Sequence, residues 1–590
     1  MRKLVLASLI SAGVISAGLL LADPEKPGPG AAERSEEIQP EVATGRSEVK
    51  AASASEFMAV TANPHASEAA AGILARGGTA VDAAIAAQLV LGLVEPQSSG
   101  IGGGAFMLSY RADDKSLHYY DGRETAPAAV DEQYFMHDGE PRDFLKAVIG
   151  GYSVGVPGVM RMLELAHQRD GKLPWAELFV PAIELAEQGF EVSPRLHQLL
   201  DRLPQVDARP AIASYFFTDD GKPLAVGTLL KNPDYARTLR QLAEQGADAF
   251  YRGDIAAAIV DAVRNDPVNP GVMTREDMAG YQAKVREPVC SEFLLYRVCG
   301  ASAPSSGGTT VGAILGMVGQ FPLTEFEPGS AELTHLFAEA SELAFADRNT
   351  YSADPDFVAV PTRAMVAPEY LVRRAKLISG EEATTAVPGK PRPFDAKRQP
   401  ADSPEKPNTS HLSIVDRYGN GVSMTTSIET GFGSRLLVRG FLLNNQLTDF
   451  SFTPERADGE LVANRVQPGK RPRSSMSPTV VFNRDGSLRL LVGSPGGSRI
   501  IDYTARTILY HLGLGMPIAD AIAAGNIGAI GYRVELESGF FPAETVRKLE
   551  QLGHKVVERN LNSGIHGIAL IDGKLHGGAD PRREGSAVGK

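Results

Sequence analysis

The last third of the chain consists of short strand patterns joined by tight turns, and this feature limits the possible folds most. Three segments alternate apolar and polar residues around a turn: HLSIVDRYGNGVSMTTS, TVVFNRDGSLRLLVGSPGG and GIALIDGKLHGGAD. An Asp-Gly pair between such runs is a strong hairpin signal. Residues 67–93 and much of 156–281 have helical patterns instead. Hairpins with helices to cover both faces predict an α/β (α+β) fold with layered antiparallel sheets.

The first hairpin starts at Thr409, where a polar, proline-rich connector over residues 383–408 meets the strand. We expect that connector to be exposed. If the turn lies near Tyr418, then Thr425 and Ser427 lie back beside the start of the hairpin, and hydroxyl groups cluster at one end of a sheet. A threonine at a strand start is common for structural reasons alone. The residue pairing predicted from this turn therefore suggests a site without establishing one.

The second hairpin brings hydroxyl and glycine residues to its open end. With its turn at the Asp-Gly pair, Ser475 lies opposite Gly496 and Ser474 opposite Gly497. Adjacent glycines allow backbone N–H groups to converge, as the oxyanion hole of an acyl-transfer enzyme requires. The pattern again suggests a site without specifying its chemistry.

Length and charge exclude some classes of protein. A chain of 590 residues is too long for one ordinary core, which suggests two large units or one very large domain. Its hydrophobic share of 43% and charged share of 22% are ordinary for a soluble globular protein. The net charge of −12, with no basic run, gives no support for nucleic-acid binding.

The N-terminus has the pattern of an export signal. Arg2 and Lys3 precede an apolar run over residues 4–21, which Ala22 closes. We expect a signal peptide over 1–22 and a periplasmic or secreted protein. The alternative is an uncleaved membrane anchor, because Leu20 is not a small residue and the run is about as long as a membrane helix. Residues 23–54 are rich in proline, glycine, serine and charge, and we expect a disordered linker there.

The two cysteines, Cys290 and Cys299, flank the run SEFLLYRV, which is short enough to be a hairpin. With a turn at Leu294 and Leu295, the cysteines lie directly opposite each other, in a pair close enough for a disulfide. An exported protein would meet an oxidising compartment. The placement of the turn is a guess, so a disulfide and two free thiols both remain open.

No pattern indicates a metal or a cofactor. The 11 histidines show no paired ligand spacing, and two cysteines alone do not make a zinc site. The glycine loop GIGGGA near Gly102 follows a helical segment rather than the strand that a dinucleotide loop requires. The segment GYSVG, residues 151–155, matches the nucleophile-elbow spelling, but a Val-Pro-Gly run follows it where the elbow needs a helix.

Several motifs together resemble the γ-glutamyltransferase (γ-glutamyltranspeptidase) family. They are NTSHLSIVDRYGNGVSMTTS, GFLLNNQLTDFS, GKRPRSSMSPT, GSPGGSRI, VEPQSSGIGGGAFM, YYDGRETAP and GGADPRREG, and they run in order from about residue 61 to 589. The resemblance implies an N-terminal nucleophile hydrolase with an αββα four-layer fold and two stacked antiparallel sheets. It also implies a precursor that cuts itself between Asn408 and Thr409. The products would be a large subunit, 55–408, and a small subunit, 409–590, that stay associated.

The resemblance also implies the roles of individual residues. Thr409 matches the nucleophile, and Ser427 matches a hydroxyl residue that hydrogen-bonds it. The remaining matches are Gly496 and Gly497 for the oxyanion hole, Arg123, Ser474 and Ser475 for the substrate α-carboxylate, and Asp449, Gln446 and Glu429 for the rest of the α-amino acid head. A planar guanidinium suits a carboxylate because it can bind both oxygens.

The implied activity is transfer of a γ-glutamyl group from glutathione or a related amide to water, an amino acid or a peptide. Thr409 needs a base, and its own freed α-amine, with a reference pKa of about 8, can serve. Residues 450–469, where family members carry a lid, look short, which would open the site to hydrolysis or bulkier substrates. Two alternatives remain: a glutaryl or cephalosporin acylase of the same fold, and an inactive secreted scaffold.

Overall fold

Two seven-stranded antiparallel sheets form the centre of the molecule. The structure is a computed structural model, and it describes residues 44–590 apart from 49, 204–208, 395–399, 401–404, 457 and 532. The expected signal peptide, 1–22, and most of the expected linker, 23–54, lie outside the described residues. The linker prediction was wrong for residues 50–54, which form an edge strand of the first sheet.

The strands in the described part of the chain, in order, are β1 (Lys50–Ala54), β2 (Met58–Thr61), β3 (Gly104–Tyr110), β4 (Leu117–Gly122), β5 (Met136–His137), β6 (Glu140–Pro141), β7 (Phe190–Glu191), β8 (Leu229–Leu230), β9 (Lys284–Arg286), β10 (Val289–Phe293), β11 (Tyr296–Gly300), β12 (Ser410–Val415), β13 (Gly421–Ser427), β14 (Leu437–Val438), β15 (Phe441–Leu442), β16 (Thr479–Phe482), β17 (Leu488–Gly493), β18 (Ile527–Ala529), β19 (Val534–Glu537), β20 (Val556–Arg559), β21 (His566–Ile571), β22 (Lys574–Ala579) and β23 (Ser586–Gly589).

The α-helices of the same residues are α1 (Pro64–Ala75), α2 (Ala80–Val94), α3 (Phe144–Ala147), α4 (Val159–Asp170), α5 (Val180–Gln188), α6 (Pro194–Asp201), α7 (Pro210–Phe216), α8 (Pro233–Gln245), α9 (Asp248–Tyr251), α10 (Asp254–Arg264), α11 (Arg275–Gly280), α12 (Gly307–Val318), α13 (Ala331–Tyr351), α14 (Thr362–Met365), α15 (Pro368–Ala375), α16 (Ile500–Ile508), α17 (Ile518–Ala523) and α18 (Ala543–Gln551). None of these helices is both long enough and apolar enough to cross a membrane.

The layers follow the order helix, sheet, sheet, helix. The first sheet has the strand order β1-β22-β21-β17-β16-β11-β10, and the second has the order β23-β2-β12-β13-β3-β4-β9. A core cluster of residues from both sheets, including Phe106 and Leu491, lies between them. Separate clusters join the second sheet to α1, α2 and α4, and the first sheet to α12, α13 and α16. The predicted αββα sandwich with two stacked antiparallel sheets is confirmed.

The central strands are buried on both faces because each sheet lies between two layers. In β12, Leu412 and Ile414 pack with the helices, while Val415 packs between the sheets. The alternation that marked this strand in the sequence therefore separates two cores rather than a core from solvent. The expected restart of a helix at Thr79 is also confirmed, because Thr79 and Asp82 form a capping box at the start of α2.

All three predicted hairpins are present. In β12 and β13, His411 pairs with Thr425. In β16 and β17, Thr479 pairs with Val492, the register that a turn at the Asp-Gly pair predicts. The third hairpin pairs β21 with β22. The two central hairpins thus end at the same region of the stacked sheets, where the expected site residues lie.

The cysteine hairpin is formed by β10 and β11, with Cys290 paired to Cys299. The two residues are joined by a disulfide, and their Cα atoms are 4.0 Å apart. The spacing is that of a narrow, non-hydrogen-bonded pair of an antiparallel ladder. The alternative of two free thiols is thereby decided in favour of the bond.

Reduction of this disulfide should lower the thermal midpoint of unfolding. The bond closes a loop with a sequence separation of nine residues, for which loop entropy gives an upper limit of about 3 kcal/mol. The measurement is scanning calorimetry with and without reductant, with the Cys290→Ser/Cys299→Ser double variant as the control that reductant does not affect. Equal midpoints in all four samples would show that the bond contributes nothing to stability.

Candidate active site

A small cavity is lined by residues from the ends of both central hairpins. Its volume is about 10 Å³, which is room for about one water molecule. The lining residues are Arg123, Glu405, Lys406, Thr409, Ser427, Glu429, Gln446, Asp449, Ser474, Ser475, Met476, Gly497 and Ile500. Nine of the ten residues that the sequence picked out for chemistry and substrate binding therefore meet at one place, together with four that it did not.

Thr409 lies beside the bond that it is expected to cut. Its Oγ1 donates to Ser427 Oγ at 3.3 Å, and Ser427 Oγ donates to the carbonyl oxygen of Asn408 at 2.9 Å. The backbone N–H of Glu429 donates to Ser427 Oγ at 2.8 Å, so the serine hydroxyl is held from three sides. Thr409 is only 3% exposed. This arrangement places a hydroxyl nucleophile and a hydrogen-bond donor at the same carbonyl group.

The residue before the bond is strained. Asn408 has a φ of 151°, a value that residues with a side chain rarely adopt. Its side-chain oxygen is buried without a hydrogen-bond partner in the described part of the chain. Strain of this kind costs of order 1–3 kcal/mol and persists only where the surrounding structure imposes it. Cutting the bond would release both constraints.

The loop of glycines before β3 packs closely against the backbone of two other segments. A Cβ atom on Gly103 would lie 2.1 Å from the carbonyl oxygen of Ser427, and one on Gly102 would lie 2.1 Å from that of Leu442. Only glycine permits this close backbone approach. The glycines of this loop therefore serve its packing against Ser427 and Leu442.

Gly496 and Gly497 both have positive φ values, 138° and 62°. Among the described residues, no backbone carbonyl accepts the N–H of either glycine. Gly497 lines the cavity with Thr409. Gly496 lies next to this lining, and a Cβ atom on Gly496 would lie 2.8 Å from the ring of Tyr503. Two free N–H groups at such a turn are what an oxyanion hole needs.

Arg123 and Asp449 contact each other directly. Arg123 is 1% exposed, and its Nη2 donates to Asp449 and, at 2.9 Å, to the carbonyl oxygen of Arg473. With its amide oriented to satisfy both neighbours, Gln446 accepts from Arg123 Nη1 at 2.6 Å and donates to Glu124. In the uncut chain, the two groups expected to hold opposite ends of a substrate head therefore neutralise each other.

The carboxyl groups around Arg123 hold protons more tightly than usual. Burial raises the pKa of Asp449 to about 6, although Arg123 opposes the shift. Burial and the nearby Asp449 raise the pKa of Glu429 well above its usual range. Burial also raises the pKa of Glu124 to about 8. With a pKa of about 6, Asp449 carries a charge at neutral pH, whereas the upward shift in the pKa of Glu429 favours its protonated form.

The end of the connector is buried, not exposed. Lys406 is 5% and Asn408 9% exposed, and the carboxylate of Glu405 lies inside the cavity wall. There it accepts from Ser475 Oγ and from the side chains of Arg348 and Arg473. The expectation of an exposed connector was therefore wrong for its last four residues, because Glu405 pairs with two buried arginines and the backbone of Lys406 packs against Gly497.

Sequence reasoning missed Glu405, Lys406, Arg348 and Arg473 as site residues. Arg473 stands inside the motif GKRPRSSMSPT, directly before the paired serines, and this adjacency was a usable signal. Nothing in the sequence marked Glu405 among the other charges of the connector. The two serines differ in their contacts: Ser474 Oγ accepts the N–H of Met476 at 3.1 Å, whereas Ser475 Oγ contacts Glu405 and Arg348.

Among the residues that the structure describes, the fold brings together one group of potential metal ligands: His335, Glu339 and His554. They already satisfy each other and the backbone, with His335 Nδ1 2.7 Å from His554 Nε2 and His335 Nε2 2.6 Å from the carbonyl oxygen of Ser379. His335 lines a different cavity, of about 410 Å³. The segment GYSVG also lacks catalytic geometry, because Ser153 is fully buried and donates to the carbonyl of Val148 at 2.9 Å.

The model of one protein family, Gamma-glutamyltranspeptidase, matches residues 66–590. The chain belongs to the gamma-glutamyltranspeptidase family. A glutathione hydrolase proenzyme of Bacillus subtilis (strain 168) is 36% identical over 553 residues, which cover 90% of this chain and 91% of the relative. Solved structures that resemble this chain include an acylase as well as a gamma-glutamyltranspeptidase.

A cephalosporin acylase from Bacillus halodurans superposes with a TM-score of 0.80 at 26% identity, over 97% of this chain and 99% of that one. The gamma-glutamyltranspeptidase of Helicobacter pylori superposes with a TM-score of 0.53 at 31% identity, over 57% of this chain and 96% of that one. Both members of the family and acylases thus share this architecture.

The raised pKa of Asp449 predicts a pH dependence of stability. In the unfolded chain an aspartate has a pKa of about 3.9, so between that value and about 6 the folded state binds a proton that the unfolded state does not. Stability from this group is present at low pH and is lost as the pH rises through 6. In an uncut Thr409→Ala chain, Asp449→Asn should remove this dependence. The test is the thermal midpoint of unfolding at pH 4.5 to 7 for the Thr409→Ala chain with and without Asp449→Asn. Parallel curves would contradict the assignment of the pH dependence to Asp449.

Proposed function

We propose that the chain is a γ-glutamyltransferase and glutathione hydrolase that becomes active by cutting its own Asn408–Thr409 bond. The observation that carries this proposal is the chain of hydrogen bonds from Thr409 Oγ1 through Ser427 Oγ to the carbonyl oxygen of Asn408. These hydrogen bonds place a hydroxyl nucleophile and a hydrogen-bond donor at one peptide bond, and family membership supports the activity.

Cutting would proceed by attack of Thr409 Oγ1 on the carbonyl carbon of Asn408. Ser427 would stabilise the negative charge that forms on the carbonyl oxygen, and the proton of the hydroxyl would pass to the departing amide nitrogen. The resulting ester, hydrolysed by water, leaves a carboxylate on Asn408 and a free α-amine on Thr409. That amine has a reference pKa of about 8 and can accept a proton at neutral pH.

The two products, 55–408 and 409–590, would stay together. The second sheet alternates strands from both, since β12 and β13 lie between β2 and β3. Separation would break backbone hydrogen bonds along three strand pairs of this sheet and expose apolar residues of both cores. The cut therefore changes the local structure at Thr409 far more than the fold.

In the mature enzyme, Thr409 Oγ1 would attack the γ-carbonyl carbon of the donor, and its α-amine would take the hydroxyl proton and deliver it to the leaving amine. The N–H groups of Gly496 and Gly497 would stabilise the oxyanion. Water or an acceptor amine would then release the γ-glutamyl group. No metal or cofactor enters this reaction scheme.

A γ-glutamyl head group fits the charges of the site. Its α-carboxylate would bind Arg123 with Ser474 and Ser475, and its ammonium group would bind Asp449, supported by Gln446 and Glu429. The direct Arg123–Asp449 contact would be replaced by two contacts of the same kind, so that no charge is left buried alone. This balance favours a zwitterionic head over a purely anionic one.

A glutaryl or cephalosporin acylase is the second candidate, supported by the superposition on the acylase from Bacillus halodurans. Its donor would offer a carboxylate to Arg123 but no cation to Asp449.

We also propose that the protein is exported, periplasmic or secreted. The Cys290–Cys299 disulfide is consistent with an oxidising compartment.

The purified protein should consist of two fragments, the smaller beginning at Thr409. Thr409→Ala should remain a single chain, because the nucleophile is gone, while Thr409→Ser should still cut. Ser427→Ala should slow cutting by about 10²-fold or more, the usual effect of removing one oxyanion contact. Intact mass and gel time courses measure this. Thr426→Ala, a buried threonine of the same hairpin, is the control and should cut normally. Cutting of Thr409→Ala at the same bond would refute the mechanism.

The mature enzyme should prefer γ-glutamyl over glutaryl nitroanilide by about two orders of magnitude in kcat/KM. A glutaryl donor leaves Asp449 buried beside no cation, a cost of about 3 kcal/mol. Asp449→Asn should lose γ-glutamyl activity and narrow that preference, while Asp485→Asn, an exposed position in a turn, should not. Equal turnover of both donors by the unchanged enzyme would favour the acylase instead.

A further inference from the structure

Two buried arginines depend on one carboxylate in the uncut chain. Glu405 accepts from Arg348 Nη2 and, at 3.3 Å, from Arg473 Nε, and Ser475 Oγ donates to it as well. Arg348 is 2% and Arg473 1% exposed. Within the described part of the chain, neither arginine forms an ion pair with any other carboxylate. The pocket around Glu405 is therefore a strong anion site.

Glu405 stands three residues before the bond that the proposed function cuts, and the inference rests on that function. The backbone of the segment also covers the expected oxyanion hole, because a Cβ atom on Gly497 would lie 2.7 Å from the carbonyl carbon of Lys406. With this segment in place, the cavity of about 10 Å³ has no room for a donor. Turnover therefore requires the freed end, including Glu405, to leave.

The departure of Glu405 leaves two cations without their anion. Arg473 stays protonated at neutral pH, because burial and Arg348 lower its pKa only to about 10. Arg473 Nη1 is buried without a hydrogen-bond partner among the described residues even before cutting, so this donor is available to a ligand. Buried, unpaired cations are strongly unfavourable, whereas guanidinium groups bind carboxylates with matched geometry.

We propose that Arg348, Arg473 and Ser475 form a carboxylate-binding pocket of the cut enzyme, which Glu405 occupies before cutting and a substrate carboxylate occupies afterwards. In the uncut chain the charge of Arg123 is neutralised by Asp449 instead. Ser475 belongs both to this pocket and to the proposed binding site of the donor α-carboxylate. The carboxylate that fills the pocket could therefore be that of the donor α-carbon, shared with Arg123, or one on the leaving group, and the two sources need different probes.

The experiment compares three chromogenic donors on cut enzyme. γ-Glutamyl p-nitroanilide carries only the α-carboxylate, its ring-carboxylated analogue carries a second one on the leaving group, and γ-aminobutyryl p-nitroanilide carries neither. The variants are Arg473→Leu, Arg473→Lys and, as a matched control, Arg484→Leu at an exposed turn position. Because Arg473→Leu leaves Glu405 short of a partner during folding, Glu405→Gln/Arg473→Leu serves as a second test variant.

If the donor α-carboxylate occupies the pocket, Arg473→Leu should lower kcat/KM for both γ-glutamyl anilides by about tenfold or more, the scale of a charged hydrogen bond. The same variant should lower kcat/KM for γ-aminobutyryl anilide much less. If the leaving group supplies the carboxylate, only the ring-carboxylated donor should show the loss. Arg473→Lys should recover part of it in either case. Equal losses on all three donors, or none, would overturn the proposal.

A second measurement does not need activity. In the uncut Thr409→Ala chain, Glu405→Gln should lower the thermal midpoint, and the loss should be smaller when Arg473→Leu is also present, because the unpaired cation is then gone. Additive losses would show that Glu405 does not neutralise the pocket and would overturn the proposal. If the enzyme turns over none of the donors but the coupling between Glu405 and Arg473 is observed, the proposed function alone is refuted. L-Glutamate could then be tested for stabilising the cut protein with and without Arg473→Leu.

Discussion

The antiparallel pairing of β12 with β13 is the interaction on which the site depends. It runs through the middle of the second sheet, buried on both faces, and its register sets Ser410 against Thr426 and therefore Thr409 beside Ser427. A slip of one residue would turn Leu412 and Ile414 away from the helical core, so the register is held by the burial of both faces. The position of the nucleophile is thus a consequence of packing that extends through the whole sandwich.

The uncut chain satisfies its buried charges with its own side chains. Arg123 is paired with Asp449, and Arg348 and Arg473 share Glu405. Such pairs are needed while the precursor folds, because an isolated buried cation would oppose folding. Under the proposed cleavage, the same groups would become available to a ligand once the connector end leaves. A site for a charged substrate can in this way fold in the absence of that substrate.

Local pattern was sufficient for the hairpins and for much of the site. The Asp-Gly turn of the second hairpin predicted the pairing of Thr479 with Val492, and the cysteine spacing predicted the pairing across β10 and β11. It failed where tertiary contacts override composition. Residues 50–54 are mostly alanine and have no strand pattern, yet they pair with β22. The charged end of the connector is buried because Glu405 pairs with Arg348 and Arg473. His335 and His554 meet although 219 residues separate them.

The sequence by itself determined the family, the layered fold and most of the residues that line the site, because motifs, turn chemistry and strand periodicity are local properties of the chain. Only the tertiary structure decided how these residues are paired: that Arg123 contacts Asp449 and that Glu405 fills the pocket of two arginines. Ion pairing inside a protein depends on which distant segments share a low-dielectric space. A local sequence pattern does not predict which distant segments come together, because the stacking of the two sheets decides it.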